Sequence, residues 1–567
     1  MKMPPRALGR LAAEAMAAVF FLALAAFFTR PLVLHLADHT LVGGDPIVDM
    51  WTIHWLVTHF FTANQVFQGN TFFPSPNAVL FSDLTLGTVV LLLPLRPFLR
   101  DPVLLYNVAV LLTLAFAGWS FHLLGRALTG NRVAGLLCGA LAAFGSHQMS
   151  HLAHINLMAT GWLALFLLGL HALVARPRWP AAVLAGVSFA LSAQSSGYYA
   201  VAGALLALVF AACHRRELRD RRTRALLVAA AVVALAATAP YLHAYYRLRA
   251  AEGLRRPIGM SISMAFQPAH DLGSYGYLYR RILGAGGERL FPGLLTLVLA
   301  FVALRRRQPE ARFYAIAAAV LTVVSLGPYL QLGPFDLPLP YRLLYALPAF
   351  ESMRHPYTFA AVAVFCLCVM AALGWNALSI ARHRAAGALV VLAALAETVA
   401  PPAELQEIPP GLPPHYAVLE RLPPGPVLEL PVFGEQSLVW AARHGQPVVN
   451  GQGSAFVPVD TLRLARFIGN HWEQSTPADV DSSRPTRLLL ARFPVRYVVL
   501  SPDRTPNFRP LAAAFDRSRV FALVGEAADG SRVYEMRPEA APSADGGQGR
   551  EEPGEVLRED GQPVGHQ

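Results

Sequence analysis

The stretch LAAEAMAAVFFLALAAFF, residues 11–28, decides the class of this protein. It carries a single charged residue and is close to the roughly 20 residues that a helix needs to cross the hydrocarbon of a bilayer. Similar runs recur, such as ALLVAAAVVALAATAPYL at 225–242. The 567-residue chain is 54% hydrophobic and only 15% charged, which excludes an ordinary soluble protein. The sequence therefore predicts an all-α polytopic membrane protein.

The formal net charge of +11 is distributed unevenly. Residues 401–567 have 16 arginines and 21 acidic residues, so residues 1–400 carry about +16. Short basic loops mark the cytoplasmic side of a membrane protein. We therefore predict cytoplasmic loops and no nucleic-acid partner. The basic clusters lie at 126–132, 176–178, 214–224, 305–307 and 381–384.

These clusters fix a topology with the N-terminus in the cytoplasm and about 11 transmembrane helices. A long external loop at 31–102 follows the first crossing, and the chain from 401 onward is extracytoplasmic. The predicted location is the inner (plasma) membrane. The predicted crossings are 11–29, 103–125, 133–149, 155–174, 180–194, 197–213, 225–243, 291–304, 312–330, 357–380 and 386–400.

The apolar stretch at 84–99 has no place among these crossings, because one more crossing would put the later basic loops on the wrong side of the membrane. It is short, and Pro94 and Arg96 interrupt it. We predict a helix that lies on or dips into the outer surface. A twelfth crossing is the alternative.

Most acidic residues of the membrane region fall in predicted external loops. Of the fifteen acids in residues 1–400, only Glu14 and Glu397 lie within predicted crossings. An ion-coupled transporter would need ionisable groups deep in its helices. The distribution instead favours polar chemistry at the outer membrane surface.

Several stretches carry a family resemblance. The first external loop opens with GGDPIVDMW (43–51), and NTFFPSPNAVLFSDLTLG (70–87) follows. The next helix ends FHLLGRALTGN (121–131), and a polar external turn, SHQMSHLAHIN (146–156), comes after it. In this layout residues 10–240 resemble the GT-C superfamily of polyprenyl-phosphate-dependent membrane glycosyltransferases. The chain also resembles uncharacterised bacterial membrane proteins with a later MR-P stretch, here SMRHP (352–356).

The resemblance implies transfer of a sugar from a polyprenyl-phosphate donor to an extracytoplasmic acceptor, which is a glycan, lipid or protein. Inverting transfer of a hexose or pentose needs a base for the acceptor proton and positive charge for the departing phosphate. Asp45 is the predicted base, because Gly43 and Gly44 allow close approach of a ligand. Capping of a helix by Asp45 alone is the alternative interpretation.

Asp49 lies one helical turn after Asp45 and is the second predicted catalytic residue. Together with His151 and His154, these acids could hold a divalent cation, Mg²⁺ or Mn²⁺. Many relatives have a second acid in the polar turn, where this chain has histidines. A polar helix end that is hydrogen-bonded to carbonyls is the alternative interpretation of these histidines. Trp51 and Trp55 are typical of the membrane interface.

Three cationic residues are predicted to bind the donor phosphate. Arg354 and His355 precede a crossing at headgroup level, and Arg247 lies in the external loop at 244–290. Ordinary lipid headgroups could attract the same side chains.

The chain divides at 400. Residues 1–400 are predicted to form the GT-C-like transmembrane domain, 401–538 a small extracytoplasmic α/β domain, and 539–567 a disordered tail. The runs GPVLELPVF, QPVVNG and VRYVVLS predict strands of the α/β domain. We expect this domain to have its own core and to bind the acceptor or pack on the membrane region.

A different class of function is also open. The chain could be a non-enzymatic protein of the same fold, such as a lipid or polysaccharide flippase or an assembly subunit. A transferase needs an acid in the first external loop, whereas a non-enzymatic protein tolerates its loss.

Overall fold

The computed structural model describes residues 5–62, 65–252, 290–332, 335–345, 353, 355–399, 401–453, 457–474 and 479–540. The α-helices are α1 Pro5–Phe28, α2 Asp45–His59, α3 Leu86–Leu92, α4 Pro102–Thr129, α5 Arg132–Phe144, α6 Ser146–Ser150, α7 Ile155–Met158, α8 Gly161–Ala175, α9 Trp179–Ala193, α10 Gly197–Cys213, α11 Arg221–Glu252, α12 Leu294–Arg305, α13 Ala311–Ser325, α14 Tyr341–Tyr345, α15 Tyr357–Asn376, α16 Arg384–Thr398, α17 His415–Leu419, α18 Glu435–His444, α19 Val459–Ile468, α20 Arg484–Arg492 and α21 Phe508–Asp516. The strands are β1 His39–Leu41, β2 Tyr329–Leu332, β3 Phe335–Pro338, β4 Leu405–Glu407, β5 Val427–Glu429, β6 Tyr497–Leu500, β7 Phe521–Glu526 and β8 Arg532–Met536.

A helix lies at each of the predicted crossings, and the fold is mostly helical. Among the described residues, five helical segments are long and apolar enough to cross a membrane. The number and direction of the crossings stay predictions. These five segments are Leu11–Phe28, Pro102–Thr129, Ile155–Ala175, Arg221–Ala250 and Tyr357–Asn376.

The crossing predicted at 312–330 extends beyond the end of the helix that forms it. The helix stops at Ser325, and Tyr329–Leu332 pairs antiparallel with Phe335–Pro338. Gly327 has φ 82°, and Pro328 follows it. Glycine in this left-handed region ends a helix, and the proline cannot continue it.

The stretch at 84–99 forms a short element. The helix Leu86–Leu92 continues only as a single 3₁₀ turn to Leu95. At about 1.5 Å per residue, this element is far shorter than the roughly 30 Å of hydrocarbon. It is therefore too short to be a twelfth crossing by itself.

The two acids inside predicted crossings have structural partners. Glu14 pairs with Arg126 of α4 and lies 3.4 Å from Nε2 of His122. Glu397 accepts hydrogen bonds from the first backbone N–H groups of α12, at Leu294 and Leu295. A carboxylate at a helix N-terminus satisfies donors that have no partner within the helix. Neither acid needs a transport role to explain it.

A four-stranded sheet with the order β5-β6-β8-β7 organises the C-terminal region. β5 and β6 are parallel, and the other neighbours are antiparallel. GPVLELPVF and VRYVVLS contain strands as predicted, but QPVVNG contributes only a bridge from Val448 to Val427. The hairpin of β7 and β8 was not predicted. The division at 400 and the role of this region stay predictions.

The C-terminal region is packed tightly against the loop that follows α1, which is predicted to be external. β1 pairs antiparallel with β4, with His39 opposite Glu407. The side chains of α2 share a hydrophobic core with buried residues of α18, including Leu438 and Val439. Arg443 lies 3.6 Å from Asp101, whose carboxylate also caps α4. An isolated C-terminal fragment would therefore expose an apolar face.

Cysteine labelling tests the topology. We expect Ser482→Cys, on an exposed residue of the C-terminal region, to react with a membrane-impermeant maleimide in intact cells. Ser379→Cys, exposed in the predicted cytoplasmic loop after α15, should react only after permeabilisation. The native cysteines are buried or partly buried, and they are replaced to lower the background. Labelling of Ser379→Cys in intact cells would contradict the arrangement.

Candidate active site

Helix α2 presents the two predicted catalytic acids. The helix begins at Asp45, and Gly44 is its N-cap, so the prediction that Asp45 is the capping residue was wrong by one position. Pro46 lies in the first turn, where its missing N–H costs nothing. Gly43 has φ 130°, a conformation that favours glycine, and turns the chain into the helix.

The C-terminal region lies against Gly44. A Cβ at this position would meet the Glu435 carboxylate, which is the end of a flexible side chain, and Gln452 is also close. Both residues belong to the C-terminal region. The close approach of a ligand at Gly44 stays a prediction.

The two acids differ in environment. The Asp45 side chain is 44% exposed, and one of its oxygens lies 3.0 Å from Nε2 of His154. Asp49 is 6% exposed and accepts a hydrogen bond from the backbone N–H of Ile155. The chain segment that follows α6 therefore reaches both acids, and it does so from about 110 residues away in sequence.

The environment of Asp49 disfavours its charge. Burial raises the pKa of the Asp49 carboxyl well above its usual value of 3.8, and the nearby carboxylates of Asp45 and Asp83 raise it further. The hydrogen bond from Ile155 opposes this effect but is the smallest contribution. Asp49 thus holds a proton at a pH where an ordinary aspartate has lost it.

Asp83 is a site residue that the sequence interpretation did not assign. It lies within the predicted surface stretch at 70–87, and Nδ2 of Asn156 donates a hydrogen bond to its carboxylate at 2.6 Å. Its influence on Asp49 places a third carboxyl group at the cluster. The sequence signals for this contact were SDL (82–84), which precedes an apolar helix, and HIN (154–156), which lies in the polar turn.

The three histidines of the polar turn lie next to one another with tilted rings. The rings of His147 and His151 are 4.3 Å apart, and those of His151 and His154 are 5.6 Å apart. Nδ1 of His151 donates to the carbonyl of His147 at 2.8 Å, which turns Nε2 outward.

Several polar atoms around this turn are buried without a hydrogen-bond partner in the described part of the chain. They include both ring nitrogens of His147, Nδ1 of His154 and the side-chain oxygen of Gln148. Ser196 and Tyr106 each add a hydroxyl. Buried polar groups are normally satisfied in proteins, so such a concentration marks a place for water or a polar ligand.

Two of the predicted donor-binding residues can be located. The His355 ring lies 5.3 Å from the Tyr357 ring, which is 6.1 Å from the ring of His151. The backbone N–H of His355 donates to the hydroxyl of Tyr198 at 2.8 Å. His355 is therefore connected to the acid cluster, whereas Arg247 is exposed on α11 and Arg354 lies outside the described residues.

The predicted Mg²⁺ or Mn²⁺ ligands Asp45, Asp49, His151 and His154 come together in one place, but they are not arranged as a ligand set for such an ion. These cations prefer several oxygen ligands. Here one Asp45 oxygen lies 3.0 Å from Nε2 of His154, and Asp49 is buried beside it. Among the described residues, groups with all ligand atoms within 4.8 Å are His35–Asp38–His39 and His171–His214–Glu310. A metal at the acid cluster stays a prediction of the resemblance.

The tryptophans of α2 are held by contacts within the protein, and their place at the membrane interface stays a prediction. Trp51 is 2% exposed, and its Nε1 donates to Oδ1 of Asn70 at 2.9 Å. Trp55 donates to the carbonyl of Gln65 and stacks on His59 with 3.9 Å between ring centroids. Both anchor α2 to the loop that follows it.

Solved structures match the chain over nearly its whole length. ArnT from Cupriavidus metallidurans in the apo state is 15% identical, with 95% of this chain and 99% of that chain covered and a TM-score of 0.39. The same ArnT bound to undecaprenyl phosphate is also 15% identical, with 94% of this chain and 99% of that chain covered and a TM-score of 0.39. The archaeal oligosaccharyltransferase AglB from Archaeoglobus fulgidus was solved in complex with an inhibitory peptide and a dolichol-phosphate. It is 13% identical, with 95% of this chain and 75% of that chain covered and a TM-score of 0.41.

No protein-family model and no curated protein sequence matches the chain.

The protonation of Asp49 predicts a pH effect on stability. The pKa is raised on folding, so the stabilising contribution is present below the usual value of 3.8 and is lost as the pH rises through the folded value. Asp49→Asn imitates the neutral acid. We expect its thermal midpoint to vary less than that of the wild type as the pH is raised from about 4 to about 8.

Asp38→Asn is the control for this experiment, because Asp38 is an exposed acid of the same loop whose pKa is lowered by a hydrogen bond to His39. It should leave the fall of stability at rising pH in place. A thermal midpoint of Asp49→Asn that tracks the wild type across this range would contradict a protonated Asp49.

Proposed function

We propose that the protein is an integral membrane glycosyltransferase of the inner (plasma) membrane. It moves a sugar from a polyprenyl-phosphate donor to an extracytoplasmic acceptor, which is a glycan, lipid or protein. The observation that carries this proposal is the pairing of a half-exposed acid, Asp45, with His154 beside a buried acid, Asp49, whose pKa is raised by burial. A site of this kind can take one proton and hold another.

Asp45 acts as the general base in this proposal. The acceptor hydroxyl gives its proton to the Asp45 carboxylate while its oxygen forms a bond to the anomeric carbon of the sugar. The bond from that carbon to the phosphate oxygen breaks, and the polyprenyl phosphate leaves with the electron pair. One displacement inverts the configuration of the sugar.

His154 and Asp49 support the base. His154 lies 3.0 Å from Asp45 and helps to hold its carboxylate in place. Burial raises the pKa of Asp49 well above its usual value, which disfavours a second carboxylate charge on this helix. The imidazole is also the nearest group that can share the proton after transfer.

The donor phosphate binds near His355, with Arg354 and Arg247 as further cations. The position of His355 beside Tyr357, whose ring contacts His151, supports this proposal. Cationic donors stabilise the charge that develops on a departing phosphate. The C-terminal region, which packs against α2, is the proposed acceptor-binding side.

Asp45→Asn tests the base. The amide keeps the size of the side chain but cannot accept the proton, so transfer should fall by about 10²–10⁴-fold. The measurement is complementation of a deletion strain, followed by transfer of radiolabelled sugar in membranes. Asp38→Asn should retain normal transfer, because its partners are His35 and His39.

Full complementation by Asp45→Asn, at normal expression, would remove the base assignment. A non-enzymatic flippase or assembly subunit of the same fold would then be the better hypothesis. Loss of membrane insertion would instead be visible as loss of the protein itself.

Arg354→Ala tests the donor site. Hydrogen bonds to charged groups contribute about 1.5–3 kcal/mol, so KM for the lipid-linked donor should rise by roughly tenfold to a hundredfold while kcat changes less. Arg342→Ala is the matched control, because this arginine is exposed on α14 and lies over the ring of Tyr329. An equal rise in both variants would show that only general attraction of the lipid headgroup is involved.

A further inference from the structure

A second polar cluster lies at the opposite end of the bundle from Asp45. It consists of His171 in α8, His214 just after α10 and Glu310 at the start of α13. The flanking basic segments at 176–178, 214–224 and 305–307 are predicted to be cytoplasmic. The proposed transfer reaction does not use this cluster.

Three separate parts of the chain bring their side chains to one point. The same oxygen of Glu310, Oε2, lies 3.1 Å from Nε2 of His214 and 3.7 Å from Nδ1 of His171. All three ligand atoms lie within 4.8 Å of one another. His171 and His214 are 9% and 7% exposed, so the cluster is almost enclosed.

The outer nitrogen of each histidine is already engaged. Nδ1 of His214 donates to the carbonyl of Phe210 at 3.0 Å, and Nε2 of His171 lies 3.0 Å from the hydroxyl of Tyr314. Both inner nitrogens face the Glu310 carboxylate, and Nε2 of His214 lies 3.1 and 3.2 Å from its two oxygens. Either a proton on His214 or a metal ion can join the imidazole to the carboxylate at these distances.

This arrangement is typical of metal-binding histidines. A ligating imidazole usually donates its other N–H to a carbonyl or another acceptor, which fixes the tautomer and aims the free nitrogen at the metal. Glu310 itself has φ 66° and ψ −18°, a conformation uncommon outside glycine. Its neighbours therefore hold the carboxylate in place against a local backbone preference.

We propose that His171, His214 and Glu310 bind a divalent transition metal. Two imidazoles and one carboxylate are a ligand set for Zn²⁺ with a fourth position left for water. The metal would join the ends of α8, α10 and α13 at the predicted cytoplasmic face. It would act on the stability of the bundle rather than on the sugar-transfer site.

Metal binding to the full-length protein in detergent tests the proposal. After removal of metals with a chelator, Co²⁺ and Zn²⁺ are added, and bound equivalents are measured by equilibrium dialysis and by the visible spectrum of Co²⁺. We expect His214→Gln and Glu310→Gln to bind one equivalent fewer than the wild type. His383→Gln, on an exposed histidine of the predicted cytoplasmic side, should bind as the wild type does.

The external group His35–Asp38–His39 can bind the same ions, but it is unchanged in every variant and cancels in the comparison. Tyr314→Phe keeps all three ligands and removes only the hydroxyl near His171. Its affinity for the metal should fall by about 10–100-fold. This variant keeps the test informative if a ligand variant does not fold.

Thermal unfolding distinguishes a metal from a proton. Zn²⁺ should raise the midpoint of the wild type and of His383→Gln but not that of His214→Gln or Glu310→Gln. Equal metal content in the wild type and in His214→Gln would overturn the proposal. A shared proton between His214 and Glu310 would then explain the cluster.

Discussion

The buried amide of Asn70 holds together the parts on which the candidate site depends. Its oxygen accepts the indole N–H of Trp51, and its nitrogen donates to the carbonyls of Ala441 at 2.7 Å and Gln446 at 3.1 Å. The backbone carbonyl of Asn70 also accepts a hydrogen bond from Val448. One residue of the first external loop therefore connects α2 to the C-terminal region. Because its partners are buried, the loss of any of them leaves an unsatisfied polar group, which costs about 1–3 kcal/mol.

This connection explains how two aspartates one turn apart acquire different properties. The docking of α2 between the helical bundle and the C-terminal region buries the face with Asp49 and leaves Asp45 at the edge. Burial is the largest cause of the raised pKa of Asp49, since a charge is costly where water is excluded. The chemistry that we propose depends on this difference, and the difference depends on packing far from the reacting atoms.

The sequence predicted the helical segments well, because their signals are local: apolar runs of membrane length and arginine clusters between them. It also brought Asp45, Asp49, His151 and His154 into one hypothesis before their contacts were known. It could not predict that Asp83 joins them or that Trp51 is buried against Asn70. Those positions are set by contacts between residues that are distant in sequence, and periodicity carries no information about them. The N-cap was misplaced because Asp and Gly are both good N-caps, so the local preference does not distinguish Gly44 from Asp45.

The polar residues of the bundle are sorted by depth. Within the predicted crossings, Glu14 pairs with Arg126 and lies near His122, and Glu397 caps a helix. Such pairing lowers the cost of keeping an acid at that depth. Buried polar atoms without a partner in the described chain occur at several places in the bundle, Oε2 of Glu14 among them, and one group of them lies at the polar turn beside α2, which is predicted to lie outside. Only the group at the turn lies next to Asp45 and Asp49, so a polar ligand that bound there would meet these atoms and the two acids together.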